Sequence, residues 1–117
     1  MLKVYGIPTC NTCKKALKWL DNQQIAHEFI NTKESPPTSA AVAQWVQTLG
    51  NKPLRNTSGK SYRALPATKQ DWSDSEWVDA FAQDPMLLKR PLFERDGVAL
   101  KTGFRGSEEE LLDVLKE

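Results

Sequence analysis

The chain has 117 residues, an apolar fraction of 39%, a charged fraction of 26% and a formal net charge of +1 at pH 7. These values are typical of a globular protein, and we expect one domain over residues 1–117 that buries a core without disulfides or metals. A charge so close to zero disfavours a general nucleic-acid binder, which needs a strongly basic face. No apolar run is long enough to cross a bilayer, and the N-terminus lacks the apolar stretch of a signal peptide. We therefore expect a cytoplasmic protein without a membrane partner.

The first twenty residues contain both cysteines of the chain, Cys10 and Cys13, in a Cys-x-x-Cys motif. Residues 2–5 predict a short buried strand, and apolar residues at helical spacing from Cys13 onward predict a helix after it. Cys10 then lies at the helix entry, where free backbone N–H groups and the helix dipole favour a thiolate. Lys14 and Lys15 add positive charge, so we expect a lowered pKa for Cys10. Cys13, one turn further on, is expected to be the covered, resolving thiol.

Other interpretations of the two cysteines are weaker. A structural zinc site needs four ligands, and the only histidine, His27, lies well downstream, so we expect no metal. A purely structural disulfide would close a very short loop and constrain the unfolded chain little. Two inert buried cysteines are a further alternative. In a reducing compartment, a close pair at a strand-to-helix junction is more often catalytic than structural.

The chain after the first helix predicts one more strand and then a mainly helical stretch. The strand covers residues 25–30, with His27 as a surface or half-buried member. An apolar stripe at helical spacing predicts a helix that begins near residue 38 and ends at Gly50. Residues 51–67 are polar and aperiodic, and they predict a loop that includes one helical turn.

Two further helices and a hairpin complete the pattern. Ser73 with Glu76, and Ser107 with Glu110, have the spacing of capping boxes, each of which opens a helix. Residues 92–100 predict a β-hairpin whose two-residue turn is Asp-Gly. The element order is therefore β-α-β, a helical insertion, and then β-β-α.

This order, with Cys-x-x-Cys after the first strand and Pro91 at the start of the third, predicts an α/β thioredoxin-like fold. The expected architecture is a mixed four-stranded sheet flanked by helices, with a helical insertion of about residues 38–88 between the βαβ and ββα halves. The proline in such folds is usually cis and lies against the active cysteine. We therefore expect a cis bond between Arg90 and Pro91.

Four segments together resemble the arsenate reductase (ArsC)/Spx/YffB family, and the similarity covers essentially the whole chain. They are Tyr-Gly-Ile before Cys10, Asn-Thr-Cys-Lys-Lys-Ala at 11–16, Leu-Lys-Arg-Pro-Leu at 88–92, and Gly-Phe at 103–104. The Tyr-Gly-Ile opening, the Lys-Lys-Ala continuation and the compact length look most like the YffB branch.

The resemblance implies a set of site residues. Cys10 matches the nucleophilic cysteine of the family, and Arg90 matches an arginine of its anion site. Arg105 falls where the arsenate reductases also carry an oxyanion-binding arginine. The full set that we expect to bind the anionic substrate is Arg90, Arg105, Lys14, Thr12 and Pro91, beside the catalytic Cys10 and Cys13.

The sequence departs from the family at two positions. The family's middle-loop arginine falls at Thr57-Ser58 or near Asn56, and neither Arg55 nor Arg63 aligns with it. A doubly charged oxyanion held by fewer guanidinium groups loses charge-assisted hydrogen bonds, which argues against an efficient arsenate reductase. The second departure is Cys13, which arsenate reductases dependent on glutathione and glutaredoxin lack and Spx-type regulators carry as part of a redox switch.

Three functions follow from the resemblance. The favoured one is a thiol-dependent reductase in which Cys10 attacks an oxyanion or mixed disulfide and Cys13 resolves it. Glutathione is its expected co-substrate, the glutaredoxin or thioredoxin system its expected partner, and we expect no bound cofactor and a monomer. The second is an Spx-like redox-switched regulator that binds the RNA polymerase alpha subunit, although Gly50, which matches a contact position, does not discriminate between the branches. The third is a non-catalytic glutathione binder.

Overall fold

The computed structural model describes residues 1–116 and contains a mixed four-stranded sheet with the order β2-β1-β3-β4. Its strands are β1 (Leu2–Gly6), β2 (His27–Asn31), β3 (Leu92–Arg95) and β4 (Val98–Thr102). β1 pairs parallel with β2 and antiparallel with β3, and β3 pairs antiparallel with β4. This is the predicted thioredoxin-like architecture.

Five α-helices flank the sheet in the described part of the chain. They are α1 (Asn11–Asn22), α2 (Ser39–Leu49), α3 (Lys60–Arg63), α4 (Asp74–Gln83) and α5 (Glu108–Leu115). Three 3₁₀ turns, Lys52–Leu54, Ala67–Asp71 and Pro85–Leu87, lie in the predicted insertion with α2, α3 and α4. None of the helices within residues 1–116 is long and apolar enough to cross a bilayer.

Alternating strand residues face two separate cores, because successive side chains of a strand point to opposite faces. Leu2, Val4 and Phe93 pack against α1 and α5 on one face. Leu92 and Ala99 pack against α2 and α4 on the other. The sheet is thus covered on both sides.

A buried carboxylate ties the insertion to the sheet. Glu94, on β3, is only 6% exposed. It accepts a hydrogen bond of 2.6 Å from the indole Nε1 of Trp45 on α2 and one of 3.4 Å from the hydroxyl of Tyr5 on β1. Burial, and then the negative charge of Glu94, raise the pKa of Tyr5 to about 12. The carboxylate is therefore shared between a sheet tyrosine and a helix tryptophan.

The predicted hairpin and helix termini are largely confirmed. The hairpin turn consists of Asp96 (φ +54°) and Gly97 (φ +81°), the positive values that a two-residue turn requires. Ser73 and Glu76 form both bonds of a capping box at the start of α4. At α5 the Ser107 hydroxyl accepts the expected bond from the Glu110 N–H at 3.1 Å, whereas the described contacts do not include the return bond from the Glu110 carboxylate.

One predicted boundary is wrong, and one predicted loop contains more regular structure than expected. β2 begins at His27 instead of residue 25, because the backbone at Gln24 turns with φ +58° and the Ile25 N–H caps the end of α1 by bonding the Leu20 carbonyl. Residues 51–67 contain a 3₁₀ turn and α3, more helical structure than predicted. The ring of Tyr62 in this segment stacks on the buried Trp77, a tertiary contact that sequence periodicity does not report.

Candidate active site

Cys10 is the N-cap residue of α1. Its backbone is extended (φ −78°, ψ 117°), and its Sγ accepts a hydrogen bond of 3.4 Å from the Cys13 N–H. Both cysteines are free thiols, with Cys10 half-buried and Cys13 only 1% exposed. The structure therefore places the pair as predicted, one accessible thiol at the helix entry and one covered thiol a turn later.

The surroundings of Cys10 favour its thiolate form. Burial opposes ionisation, but it is outweighed by hydrogen bonds from the Cys13 thiol and backbone, by the Arg90 charge, and by the Thr12 N–H, so the pKa of Cys10 is lowered. The predicted direction is present, but its cationic source is Arg90, from the other end of the chain, instead of the neighbouring lysines. A guanidinium that the fold brings to the thiol acts more directly than flexible ammonium groups on the helix surface.

Cys13 has the opposite environment. Burial, and then the hydrogen bond that it donates to Cys10, raise the pKa of Cys13 to about 12. The thiol packs so closely on β1 that a Cβ atom at Gly6 would lie 2.5 Å from Cys13 Sγ. Gly6 is therefore part of the site, whereas in the sequence it stands out only as part of the Tyr-Gly-Ile motif.

A cavity of about 660 Å³ opens beside Cys10. Four segments of the chain contribute its walls: the entry of α1, the insertion, the approach to β3, and the loop after β4. The residues that line it are Cys10, Thr12, Lys15, Arg55, Asn56, Thr57, Ser58, Lys89, Arg90, Gly103, Phe104 and Arg105.

Most of the predicted site residues meet in this cavity. Cys10, Thr12, Arg90 and Arg105, all among the predicted site residues, line it. Lys14 does not, and Lys15 lines it instead, because adjacent residues of a helix point about 100° apart.

Pro91, predicted as an anion-binding residue, also does not line the cavity. The Arg90–Pro91 bond is cis, as expected, and Pro91 is fully buried. Its carbonyl accepts a hydrogen bond of 2.8 Å from the Gly103 N–H. Pro91 therefore joins the loop after β4 to the approach to β3.

Arg90 is held by backbone carbonyl groups. Its Nη1 lies 3.4 Å from the carbonyl oxygens of both Met86 and Leu88 and donates to them. Its Nε is buried and has no hydrogen-bond partner among the described residues. The Arg90 guanidinium is thus anchored at one nitrogen, beside the Cys10 thiol.

Arg55 supplies a guanidinium that sequence alignment did not assign. Residues 54–56 pair with 87–89 through an isolated antiparallel bridge, Arg55 to Leu88, flanked by backbone hydrogen bonds of 2.8 Å from the Asn56 and Lys89 amides. The Arg55 guanidinium stacks over the Trp77 ring, with its Cζ 4.1 Å from the ring centroid. Its Nη2 donates a hydrogen bond to Oδ1 of Asn51. This long-range pairing has no signal in the local sequence.

Arg63, the other arginine that the sequence left open, lies outside the cavity. Its guanidinium donates at 3.2 Å to the carbonyl of Ser58. Of the two nearby arginines, Arg55 is therefore the one that reaches the site.

Arg105 lies on an exposed loop with a defined backbone. Lys101 Nζ donates a hydrogen bond of 2.9 Å to the Arg105 carbonyl, and Gly103 adopts φ +75°. A Cβ atom at Gly103 would lie 3.0 Å from the Lys89 side chain, so the loop passes closely over the approach to β3. The backbone of the loop is fixed while the Arg105 side chain faces the cavity.

No group of three or more His, Cys, Asp or Glu side chains able to hold a metal ion is found among residues 1–116. The chemistry that the described groups can perform is that of a thiolate next to fixed cations and a second thiol.

The sheet order, the cis proline and the Cys-x-x-Cys motif at the entry of α1 define a protein of the thioredoxin-like fold class. The model of the ArsC family matches residues 5–114. The chain therefore belongs to the ArsC family.

Three relatives illustrate its position in that family. A possible arsenate reductase from Streptococcus mutans UA159 is 36% identical, with a TM-score of 0.85 over 95% of this chain and 97% of that one. A YffB protein is 28% identical, with a TM-score of 0.86 over 98% and 99% of the two chains. The global transcriptional regulator Spx of Lactiplantibacillus plantarum is 29% identical over 92% of this chain and 83% of its own length. The match to the YffB structure supports the predicted nearness to that branch.

Proposed function

We propose that the protein is a thiol-dependent reductase in which Cys10 attacks an anionic acceptor and Cys13 resolves the product. The observation that carries this proposal is the contrast between the two thiols. Cys10 faces a cation-lined cavity and has a lowered pKa, while Cys13 lies buried behind it with a pKa raised to about 12. An attacking thiol must be accessible and ionised, whereas a resolving thiol must stay protonated until it is needed.

For a mixed-disulfide acceptor, the Cys10 thiolate attacks one sulfur and the S–S bond of the acceptor breaks. The leaving thiolate takes a proton from water, and Cys10 now carries the other half as a mixed disulfide. Cys13 then loses its proton to solvent and attacks Cys10 Sγ, which releases the second thiolate. The acceptor has gained two electrons, and the protein holds a Cys10–Cys13 disulfide.

Formation of the mixed disulfide on Cys10 favours the subsequent attack by Cys13. The Cys13 pKa is raised by burial, by the hydrogen bond to Cys10 and by the Cys10 charge. When Cys10 enters a mixed disulfide it loses its negative charge, and the causes that depend on that charge disappear. The pKa of Cys13 then falls from about 12, and the thiol becomes a better nucleophile at the moment when resolution is required.

We propose glutathione, or a dithiol partner of the glutaredoxin or thioredoxin type, as the reductant of the Cys10–Cys13 disulfide. An oxyanion such as arsenate is a second class of acceptor, because Arg55 provides the cavity with a third guanidinium beside Arg90 and Arg105. These guanidinium groups offer the forked hydrogen bonds that oxyanions accept.

The test is the intact mass of the protein after brief exposure to glutathione disulfide. The Cys13→Ser variant should accumulate one glutathione on Cys10, whereas the wild type should pass on to the Cys10–Cys13 disulfide. A Cys10→Ser variant should take up none at neutral pH. Glutathione addition to Cys13 in preference to Cys10, or no reaction of either thiol, would contradict the proposal.

A second candidate function is redox-switched regulation, favoured by the similarity to Spx and by the same cysteine pair. Gly50, which ends α2 with φ +86°, would then lie in the contact with the RNA polymerase alpha subunit. A pull-down of that subunit with oxidised and reduced protein tests this candidate. Binding that depends on the Cys10–Cys13 disulfide and is lost in Gly50→Arg would favour the regulator over the reductase.

A further inference from the structure

The cavity beside Cys10 has an unusual charge balance. Five of its lining residues carry positive charge: Lys15, Arg55, Lys89, Arg90 and Arg105. No Asp or Glu is among the lining residues that the structure describes. Inside a partly enclosed space, such charges reinforce one another and attract a ligand with several negative charges.

The size of the cavity indicates a ligand larger than a tetrahedral oxyanion. Its volume is about 660 Å³, within the range of roughly 300–1,000 Å³ that is typical of sites for extended small molecules. The cations also come from four segments of the chain, so they are not confined to one structural element. An extended ligand with anionic groups away from its sulfur fits this arrangement.

The fixed cations are suited to phosphate. Arg55 and Arg90 both line the cavity beside Cys10. Their positions are set by the Trp77 ring and by backbone carbonyl groups, respectively. A phosphate monoester presents three acceptor oxygens and close to two negative charges, and it pairs with guanidinium forks better than a single carboxylate does.

Glutathione fits the same cavity less well. Its two carboxylates can pair with the cations, but the ammonium group of its γ-glutamyl end adds a positive charge beside a lining that already carries five and, among the described residues, no carboxylate.

We infer that the preferred acceptors are disulfides of thiols that carry phosphate groups, and that the cavity discriminates against disulfides that carry ammonium groups. This inference rests on the proposed reductase function and specifies its substrate class. The reaction is the exchange described above: Cys10 takes one half of the disulfide, the phosphorylated thiolate leaves and is protonated by water, Cys13 releases the second half, and an external dithiol reduces the protein.

The test compares disulfides that differ in charge while the reacting carbon chain stays the same. Pantethine is neutral, and the disulfide of 4′-phosphopantetheine differs from it only by a phosphate on each half; cystamine carries two ammonium groups. The rate of mixed-disulfide formation on Cys10 is followed by mass in the full-length Cys13→Ser protein at low ionic strength. We expect the phosphorylated disulfide to react at least about tenfold faster than pantethine, the effect of one charge-assisted hydrogen bond, and cystamine to react slowest.

Added salt and arginine variants assign the preference to the cavity. Raising the salt to about 0.15 M, where the Debye length is about 8 Å, should reduce the preference. Arg55→Gln and Arg105→Gln should each reduce it at low salt, whereas Arg63→Gln, an arginine outside the cavity, should leave it unchanged. Arg105 is exposed, so its variant keeps the comparison valid if Arg55→Gln destabilises the packing on Trp77.

The outcomes separate this inference from the proposed function. Equal rates with pantethine and its phosphorylated form, or a preference for cystamine, would overturn the inference while leaving Cys10 an exchanging thiol. A preference that survives in both Arg55→Gln and Arg105→Gln would also overturn it. If Cys10 reacts with none of the disulfides, the proposed function itself fails.

Discussion

Gly6 and Cys13 are in closer contact than any residue with a side chain would permit at position 6. A Cβ atom on Gly6 would lie 2.5 Å from Cys13 Sγ, below the 3.0 Å that real Cβ contacts respect. The glycine at the end of β1 thus sets the position of the resolving thiol, and through it the hydrogen bond that stabilises the Cys10 thiolate.

A Gly6→Ala substitution should displace Cys13 and weaken its bond to Cys10. We expect the pKa of Cys10 to rise and the Cys10–Cys13 disulfide to form more slowly, with a stability loss of roughly 1–3 kcal/mol from overpacking. Thiolate ultraviolet absorbance against pH and denaturant unfolding measure the two effects. Gly97→Ala is the control: it has φ +81° with nothing within 4 Å, so it should cost roughly 1–2 kcal/mol without altering the thiols. An unchanged Cys10 pKa in Gly6→Ala would contradict this account.

Replacing Arg90 with glutamine should raise the pKa of Cys10, because a positive charge that favours the thiolate is removed. Iodoacetamide reacts with the thiolate, so the pH profile of Cys10 alkylation should move to higher pH. Arg63→Gln, whose guanidinium bonds only a nearby carbonyl in the described contacts, serves as the matched control and should leave the profile in place. The prediction fails if both variants give the wild-type profile, or if Cys13 is alkylated before Cys10.

The lowered pKa of Cys10 and the raised pKa of Cys13 make the free energy of unfolding depend on pH in opposite directions. The folded pKa of Cys10 is depressed, so its contribution is present above the unfolded pKa and is lost as pH falls through the folded value. The folded pKa of Cys13 is raised to about 12 from 9.0, so its contribution is complete below 9.0 and is lost as pH rises to about 12. We expect Cys13→Ala to lose part of the alkaline destabilisation of the wild type between these values. Unfolding free energies at a series of pH values check this, and parallel curves for the two proteins would refute it.

Replacing Glu94 with glutamine should lower the pKa of Tyr5. Burial is the main cause of its value of about 12 and persists in the variant, so the pKa should stay above 10.0, but the repulsion from the carboxylate disappears. Alkaline titration of tyrosinate absorbance in a Tyr62→Phe background, which leaves Tyr5 as the only tyrosine, measures the change. A higher Tyr5 pKa in Glu94→Gln would show that the carboxylate does not act on the tyrosine as described.

Replacing Trp45 with phenylalanine should destabilise the protein by roughly 1–3 kcal/mol, because one oxygen of the buried Glu94 carboxylate loses its 2.6 Å hydrogen bond. The double variant Trp45→Phe with Glu94→Gln should be less destabilised than the sum of the single variants, since the lost interaction is shared. Chemical denaturation of the four proteins gives the coupling. Strict additivity would show that the bond contributes nothing.

Local sequence signals were sufficient for most of the fold. The cysteine spacing at α1, the capping residue Ser73 and the Asp-Gly turn each act within a few residues, so their consequences could be predicted without knowledge of the tertiary structure. Arg90 was assigned to the anion site by resemblance, and the structure places it at the cavity beside Cys10.

The remaining features of the site depend on contacts that are distant in sequence. Arg55 reaches the cavity only because its backbone pairs with Leu88, 33 residues away by their numbers, and because Trp77 supports its guanidinium. The choice between Lys14 and Lys15 depends on the rotation of α1 relative to the insertion, which periodicity alone does not determine. The early start predicted for β2 has a local origin instead, since the positive φ at Gln24 is unusual for a residue of its type.

The Arg55–Leu88 bridge also makes the local stability of the insertion a property of the site. The amides of Asn56 and Lys89 hold the two segments together through bonds of 2.8 Å each. Any fluctuation that breaks both bonds separates the segments that bring Arg55 and Arg90 to the cavity, so the open state has a poorer anion site. Deuterium exchange at these two amides would therefore report the free energy of the opening that disrupts the charge arrangement of the cavity. By mass action, a tightly bound anion should slow that exchange further, in proportion to its preference for the closed form.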